Sequence, residues 1–120
     1  MAACVLVVDD DDVLRDTVAE ALEDAGYLVE RAENGREALV KMRLGPPCIV
    51  LLDLMMPVMD GWEVVTEMDR DPRLAGVPVC VVSAQDRIAP PRNIGVLRKP
   101  ASLAALLTAV EAHCGKPPAA

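Results

Sequence analysis

Cys48-Ile49-Val50-Leu51-Leu52-Asp53 is a short apolar run closed by a carboxylate. It is apolar at every position before the acid and bounded upstream by Gly45-Pro46-Pro47. Such a run reads as a strand buried on both faces, near the centre of a parallel sheet. Two more runs share the shape. Cys4-Val5-Leu6-Val7-Val8 leads into Asp9-Asp10, and Val96-Leu97-Arg98 leads into Lys99-Pro100. In an open parallel α/β sheet, chemistry gathers outside the carboxyl ends of the strands. Three acids and one amine, distant in sequence, are therefore expected to meet at one sheet edge.

The intervening segments read as helices and one half-exposed strand. After a first strand over about 3–8, Asp11 or Asp12 can cap a helix with Leu14, Val18, Ala21, Leu22 and Ala25 at helical spacing, ended by Gly26. Residues 27–32 alternate, with Leu28 and Glu30 on one face and Tyr27, Val29 and Arg31 on the other. Asn34-Gly35 opens a helix through Ala38, Leu39 and Met42, and Asp60 caps another bearing Trp62, Val65 and Met68. The third strand covers about 48–52, the fourth 77–82 and the fifth 96–98. A last helix over 101–114 carries Leu103, Leu106, Leu107 and Val110 on one face. Five strands alternating with helices predict a doubly wound parallel α/β sheet. Only residues 84–94 separate Ser83 from the fifth strand, and they include Pro90-Pro91. Loops at both ends leave little room there, so the fourth crossover helix is expected to be short or missing.

A chain of 120 residues fits one domain, over 1–115, with 116–120 as a disordered tail or linker stub. At 52% hydrophobic and 26% charged it is too apolar for a disordered chain. With Trp62, Tyr27 and no Phe, the core must be aliphatic. A net charge of −7 argues against gripping a nucleic-acid backbone, which relies on clustered Lys and Arg. Cys4, Cys48, Cys80 and Cys114 lack C-x-x-C spacing, and three fall in predicted strands, so all four are expected to be reduced core thiols. No apolar stretch approaches the ~20 residues of a membrane span and no signal peptide precedes the first strand, so a cytoplasmic protein without membrane contact is expected.

Taken singly, the candidate site residues have plain readings. Asp11 and Asp12 are caps, Lys99 a rim charge and Ser83, at the end of the fourth strand, a turn residue. Asp9, Asp10 and Asp53 together would repel one another unless a cation joined them. Hard carboxylate oxygens suit Mg²⁺, which also welcomes phosphate oxygens. Phosphoryl transfer needs a nucleophile with cations and donors on the equatorial oxygens. Asp53 can be the nucleophile, with Lys99 and the Ser83 hydroxyl on the phosphoryl group.

Val7-Val8-Asp9-Asp10-Asp11, the run from Leu51 to Glu63, Val81-Val82-Ser83-Ala84 and Leu97-Arg98-Lys99-Pro100 follow one another as in a known family. From Val5 to about His113 the chain resembles the receiver domain of two-component response regulators. That resemblance implies a flavodoxin-like fold with strand order 2-1-3-4-5. It implies Asp53 as acceptor of a phosphoryl group from a sensor histidine kinase or phosphotransfer protein. Asp10, Asp53 and the Met55 carbonyl would be direct Mg²⁺ ligands, with Asp9 acting through water. Ser83 and Lys99 take the positions that meet the phosphoryl group, and Pro57, Gly61 and Pro100 those that shape loops. Met55 and Gln85 fall where the phosphoryl lifetime is tuned, and Val13, Leu14 and Thr17 where a kinase docks. The implied protein is no enzyme beyond its own phosphorylation and dephosphorylation.

Val96 departs from the family, many of whose members carry an aromatic there that turns inward on activation. A β-branched aliphatic has no comparable flip. Reordering of 84–94 next to Ser83 is the alternative expected switch. Two other functions fit less well. A phosphorylation-independent interaction module would not need the acids, Ser83 and Lys99. An aspartyl phosphatase would need Asp two residues after Asp53, where Met55 stands.

Overall fold

The computed structural model describes residues 4–83, 95–99 and 101–115. Strands β1 (Cys4–Val8), β2 (Leu28–Ala32), β3 (Ile49–Leu52), β4 (Val79–Ser83) and β5 (Gly95–Arg98) form one parallel sheet in the order β2-β1-β3-β4-β5. Four helices are present among the described residues: α1 (Asp12–Asp24), α2 (Gly35–Leu44), α3 (Gly61–Arg70) and α4 (Leu103–Cys114). This is the flavodoxin-like arrangement expected from the sequence. The expectations of a short fourth crossover helix and of a reordering segment fall at 84–94, outside the described residues.

Period-2 alternation divides the central strands between two cores. Leu6, Val8, Val50 and Leu52 face α2 and α3, packing with Ala38, Leu39, Met42, Val64, Val65 and Met68. Val5, Val7, Ile49 and Leu51 face the other way, against Ala19, Leu22, Leu106 and Val110. All four residues of β3 are buried, as expected of a central strand. The first core contains no aromatic residue, and Tyr27 alone supplies one to the second.

Local signals set the helix starts. Asp11 is the N-cap of α1, accepting from the Val13 and Leu14 amides. Asn34 caps α2 through the Glu37 amide, and Asp60 with Glu63 forms a capping box on α3. Gly26, at φ 107°, follows the Ala25 C-cap of α1 in the conformation glycine tolerates best. Strand β4 starts two residues and ends one residue later than expected, so Ser83 falls inside the ladder opposite Arg98. In α4, Leu106 and Val110 are buried, but Leu103 is 47% exposed, narrowing the expected apolar face.

One expectation is overturned. Cys48 and Cys114 are joined in a disulfide, with Cα atoms 5.3 Å apart, whereas Cys4 and Cys80 are free. Cys48 lies just before β3, and the C-terminus of α4 returns to it across 66 residues of sequence. No local spacing could announce that meeting. Closing such a loop restricts the unfolded chain by the equivalent of about 4 kcal/mol on the chain-entropy account.

Candidate functional site

The register brings the carboxyl ends of β1 and β3 level, because Val8 pairs with Leu52. Asp9 and Asp53, one residue beyond, therefore stand side by side. Their backbones extend the ladder: the Asp9 amide donates to Ala32 O at 3.1 Å and the Asp53 amide to Val8 O at 3.0 Å. On the far side the Lys99 amide donates to Ser83 O at 2.7 Å, which anchors the lysine to the end of β4.

Strand ends thus deliver the expected constellation. Lys99 Nζ lies 2.7 Å from Asp9 Oδ2 and 3.5 Å from Asp53 Oδ2. Carboxylate oxygens of Asp9, Asp10 and Asp53 all lie within 4.8 Å of one another. Asp9, Asp53 and Ser83 are buried, whereas Asp10 is exposed. Two backbone amides aim the carboxylates: Asp11 N–H donates to Asp9 Oδ1 at 3.0 Å and Met55 N–H to Asp53 Oδ1 at 3.2 Å. Sequence reasoning missed Arg15. Its guanidinium donates to the Asp9 carbonyl at 3.1 Å and to Asp12 Oδ1 at 2.7 Å, tying α1 to the acidic turn. The available signal was its place in the first turn of the helix that follows the acids.

Electrostatics in this corner are opposed. Burial holds the Asp53 carboxyl above the usual aspartate range, against the charge of Lys99 and the Met55 amide, with Asp9 and Asp10 adding to the rise. For Lys99, burial alone would lower the pKa, but the hydrogen bond to Asp9 and the charges of Asp53 and Asp9 carry it above the ordinary lysine value. Among the described residues, Lys99 is the cation paired with these three carboxylates, which leaves the cluster net negative. Three hard oxygen donors at this spacing suit a small divalent cation such as Mg²⁺.

The loop after Asp53 is shaped by close packing. A Cβ on Gly61 would sit 2.8 Å from Leu54 Cα and 2.9 Å from the Asp53 carbonyl oxygen, so only glycine lets α3 start this close to the acid. Val58 adopts φ 71°, a left-handed conformation that costs an L-residue about 1–2 kcal/mol. Next to the acids, a cavity of about 200 Å³ is lined by Leu14, Thr17, Val18, Val82 and Ala101 together with Asp9, Asp53 and Lys99. Val96 is 43% exposed. Pro100 and Gln85 lie outside the described residues.

Fold and site together define a flavodoxin-like α/β domain whose sheet edge sets an acidic, cation-ready cluster against a lysine. The chain belongs to the response regulator receiver domain family, whose profile matches residues 5–111. It is 40% identical over 91 residues to the response regulator MprA of Mycolicibacterium vanbaalenii, an overlap covering 74% of this chain and 38% of that protein. To the DNA-binding dual master transcriptional regulator RpaA of Synechocystis it is 37% identical, over 70% of this chain and 35% of that protein. The chain thus spans little more than a third of these curated relatives. Among solved structures, chemotaxis protein CheY4 of Vibrio cholerae superposes with a TM-score of 0.84 at 31% identity, covering 94% of this chain and 99% of that one. A response regulator described as putative from Chloroflexus aurantiacus superposes with a TM-score of 0.87 at 27% identity, covering 95% and 98%.

Proposed function

We propose that Asp53 is the phospho-acceptor of this receiver domain, taking its phosphoryl group from the phosphohistidine of a sensor histidine kinase or phosphotransfer protein. The observation that carries this reading is the 3.5 Å approach of Lys99 Nζ to Asp53 Oδ2 beside the acid cluster. An Asp53 carboxylate oxygen attacks phosphorus, a P–O bond forms, and the P–N bond to the donor imidazole breaks. Lys99, now shared between Asp9 and Asp53, neutralises charge on the arriving group. The Ser83 hydroxyl, at the end of the neighbouring strand, donates to a phosphoryl oxygen. Asp10, Asp53 and the Met55 carbonyl would hold Mg²⁺, with Asp9 acting through water. When bound, the ion supplies electrostatic stabilisation of phosphoryl charge. The Asp11 and Met55 amides keep the Asp9 and Asp53 carboxylates aimed, and Arg15 holds the Asp9 backbone carbonyl.

The reading also places the chain in the cytoplasm. No helix among the described residues is long and apolar enough to cross a membrane. The acidic balance disfavours direct nucleic-acid contact by this domain. Its activity is confined to its own phosphorylation and dephosphorylation, and its downstream partner is whatever reads the altered surface.

Incubation with acetyl phosphate and Mg²⁺, followed by mass spectrometry, tests the assignment. The wild type should gain one phosphoryl group, mapped to Asp53, and Asp53→Asn none. A wild type that stays unmodified with both small acyl phosphate and phosphorylated kinase would favour an interaction module independent of phosphate.

A further inference from the structure

We propose that Cys48–Cys114 is a reversible thiol–disulfide site, a latch whose redox state sets how firmly the end of α4 is docked on the sheet. Of the twelve residues of α4, only Leu106 and Val110 are buried. Its first apolar residue, Leu103, is half exposed. At its C-terminus the disulfide to the start of β3 and a 2.8 Å hydrogen bond from Tyr27 Oη to the Gly115 carbonyl reach the rest of the domain. With the disulfide open, the Tyr27 hydrogen bond and the apolar contacts of Leu106, Leu107, Ala109 and Val110 are what the described residues offer to hold that end.

Both bonded cysteines pack against the edge of the second core and are partly exposed. Burial pushes the thiols of Cys4 and Cys80 up, which keeps them protonated and poorly nucleophilic. The co-reactant is a dithiol, small or protein-borne. Its thiolate attacks one sulfur of the bond and forms a mixed disulfide, and its second thiol displaces the protein sulfur. Two electrons and two protons pass to Cys48 and Cys114, and the dithiol leaves oxidised. A small-molecule disulfide reverses the process. Reversibility in the cell rests on the cytoplasmic reading above, where protein disulfides are transient; the exchange itself does not depend on Asp53.

The latch bears on the acid site through α4. Ser102, its N-cap, lies three residues after Lys99, and Ala101 lines the cavity shared by Asp9, Asp53 and Lys99. The helix links cavity and disulfide over about 18 Å at 1.5 Å per residue.

The test equilibrates the full chain across ratios of reduced to oxidised glutathione and maps thiols by alkylation and mass spectrometry. Hydrogen exchange is then read on the two end states. One two-electron transition at Cys48 and Cys114 is expected, with Cys4 and Cys80 remaining thiols. Amides in the last turn of α4 should exchange at least about tenfold faster once reduced, with those of β1 and β3 unchanged. Cys48→Ser should match the reduced wild type at every ratio; if it does not fold, Cys114→Ser serves. A bond that never forms, one that survives the most reducing ratio, or equal exchange in both states each overturns the latch.

Discussion

Replacing Asp10 by Asn should stabilise the metal-free domain while weakening its response to Mg²⁺. The oxygens of Asp9, Asp10 and Asp53 lie within 4.8 Å of one another, and Lys99 offsets one of the two buried charges. Asp10 therefore faces about one uncompensated negative charge. At that spacing the repulsion is about 0.9 kcal/mol in bulk water and about 3.5 kcal/mol at an effective dielectric constant of 20. Because Asp10 is exposed, the lower figure governs, and about 1 kcal/mol is relieved. For a domain of this size that raises the melting temperature by about 4 °C in chelator. Mg²⁺ acts in the opposite direction. At ten times its dissociation constant a bound ion adds about 1.4 kcal/mol to the wild type. The variant, lacking one carboxylate, should gain clearly less. Calorimetric melts of both proteins in chelator and across a Mg²⁺ series read both effects. A variant less stable than wild type in chelator, or equally responsive to Mg²⁺, would refute a crowded cation site.

The raised pKa of Asp53 means that its own contribution to the stability of the metal-free fold is fully present below the ordinary aspartate range near pH 4 and is lost as pH rises through the folded value. Asp53→Asn should match the wild type below that window and exceed it at neutrality; parallel pH–melting curves would contradict the sign. Lys99→Met leaves Asp9 and Asp53 without their cation and should destabilise toward the lower end of the about 3–5 kcal/mol seen when one partner of a buried pair is lost, because Lys99 is partly solvated. Urea titration measures that loss, and a change below about 1 kcal/mol would mean the pair is screened. Gly61→Ala forces its new Cβ against the Leu54 and Asp53 backbone and should cost about 3 kcal/mol, or about 10 °C. An unchanged melting temperature would show that the loop yields freely.

Much of this molecule is legible in short windows. The burial of Val5 and Val7 on one face and Leu6 and Val8 on the other follows from alternation in a run apolar throughout. Asp11, Asn34 and Asp60 cap helices because their side chains reach amides two or three residues ahead. The approach of Asp9, Asp10, Asp53 and Lys99 to one another was legible because strand ends in a parallel sheet share an edge. Their meeting needed only the fold class.

Non-local geometry decided the rest. The cysteines illustrate the difference. Cys48 looks like a strand residue in its own window, and only the return of α4 to the foot of β3 gives it Cys114 as a partner. The Arg15 bond to the Asp9 carbonyl depends on the angle at which α1 leaves β1. The 47% exposure of Leu103 depends on where α4 lies against the sheet. By itself the sequence determined which segments form strands and helices and which groups end them, because hydrophobic periodicity and capping act over a few residues. Tertiary structure alone decided which sulfurs meet, how far Lys99 reaches and what space opens beside Asp53, because these distances are set by helix packing across the whole sheet.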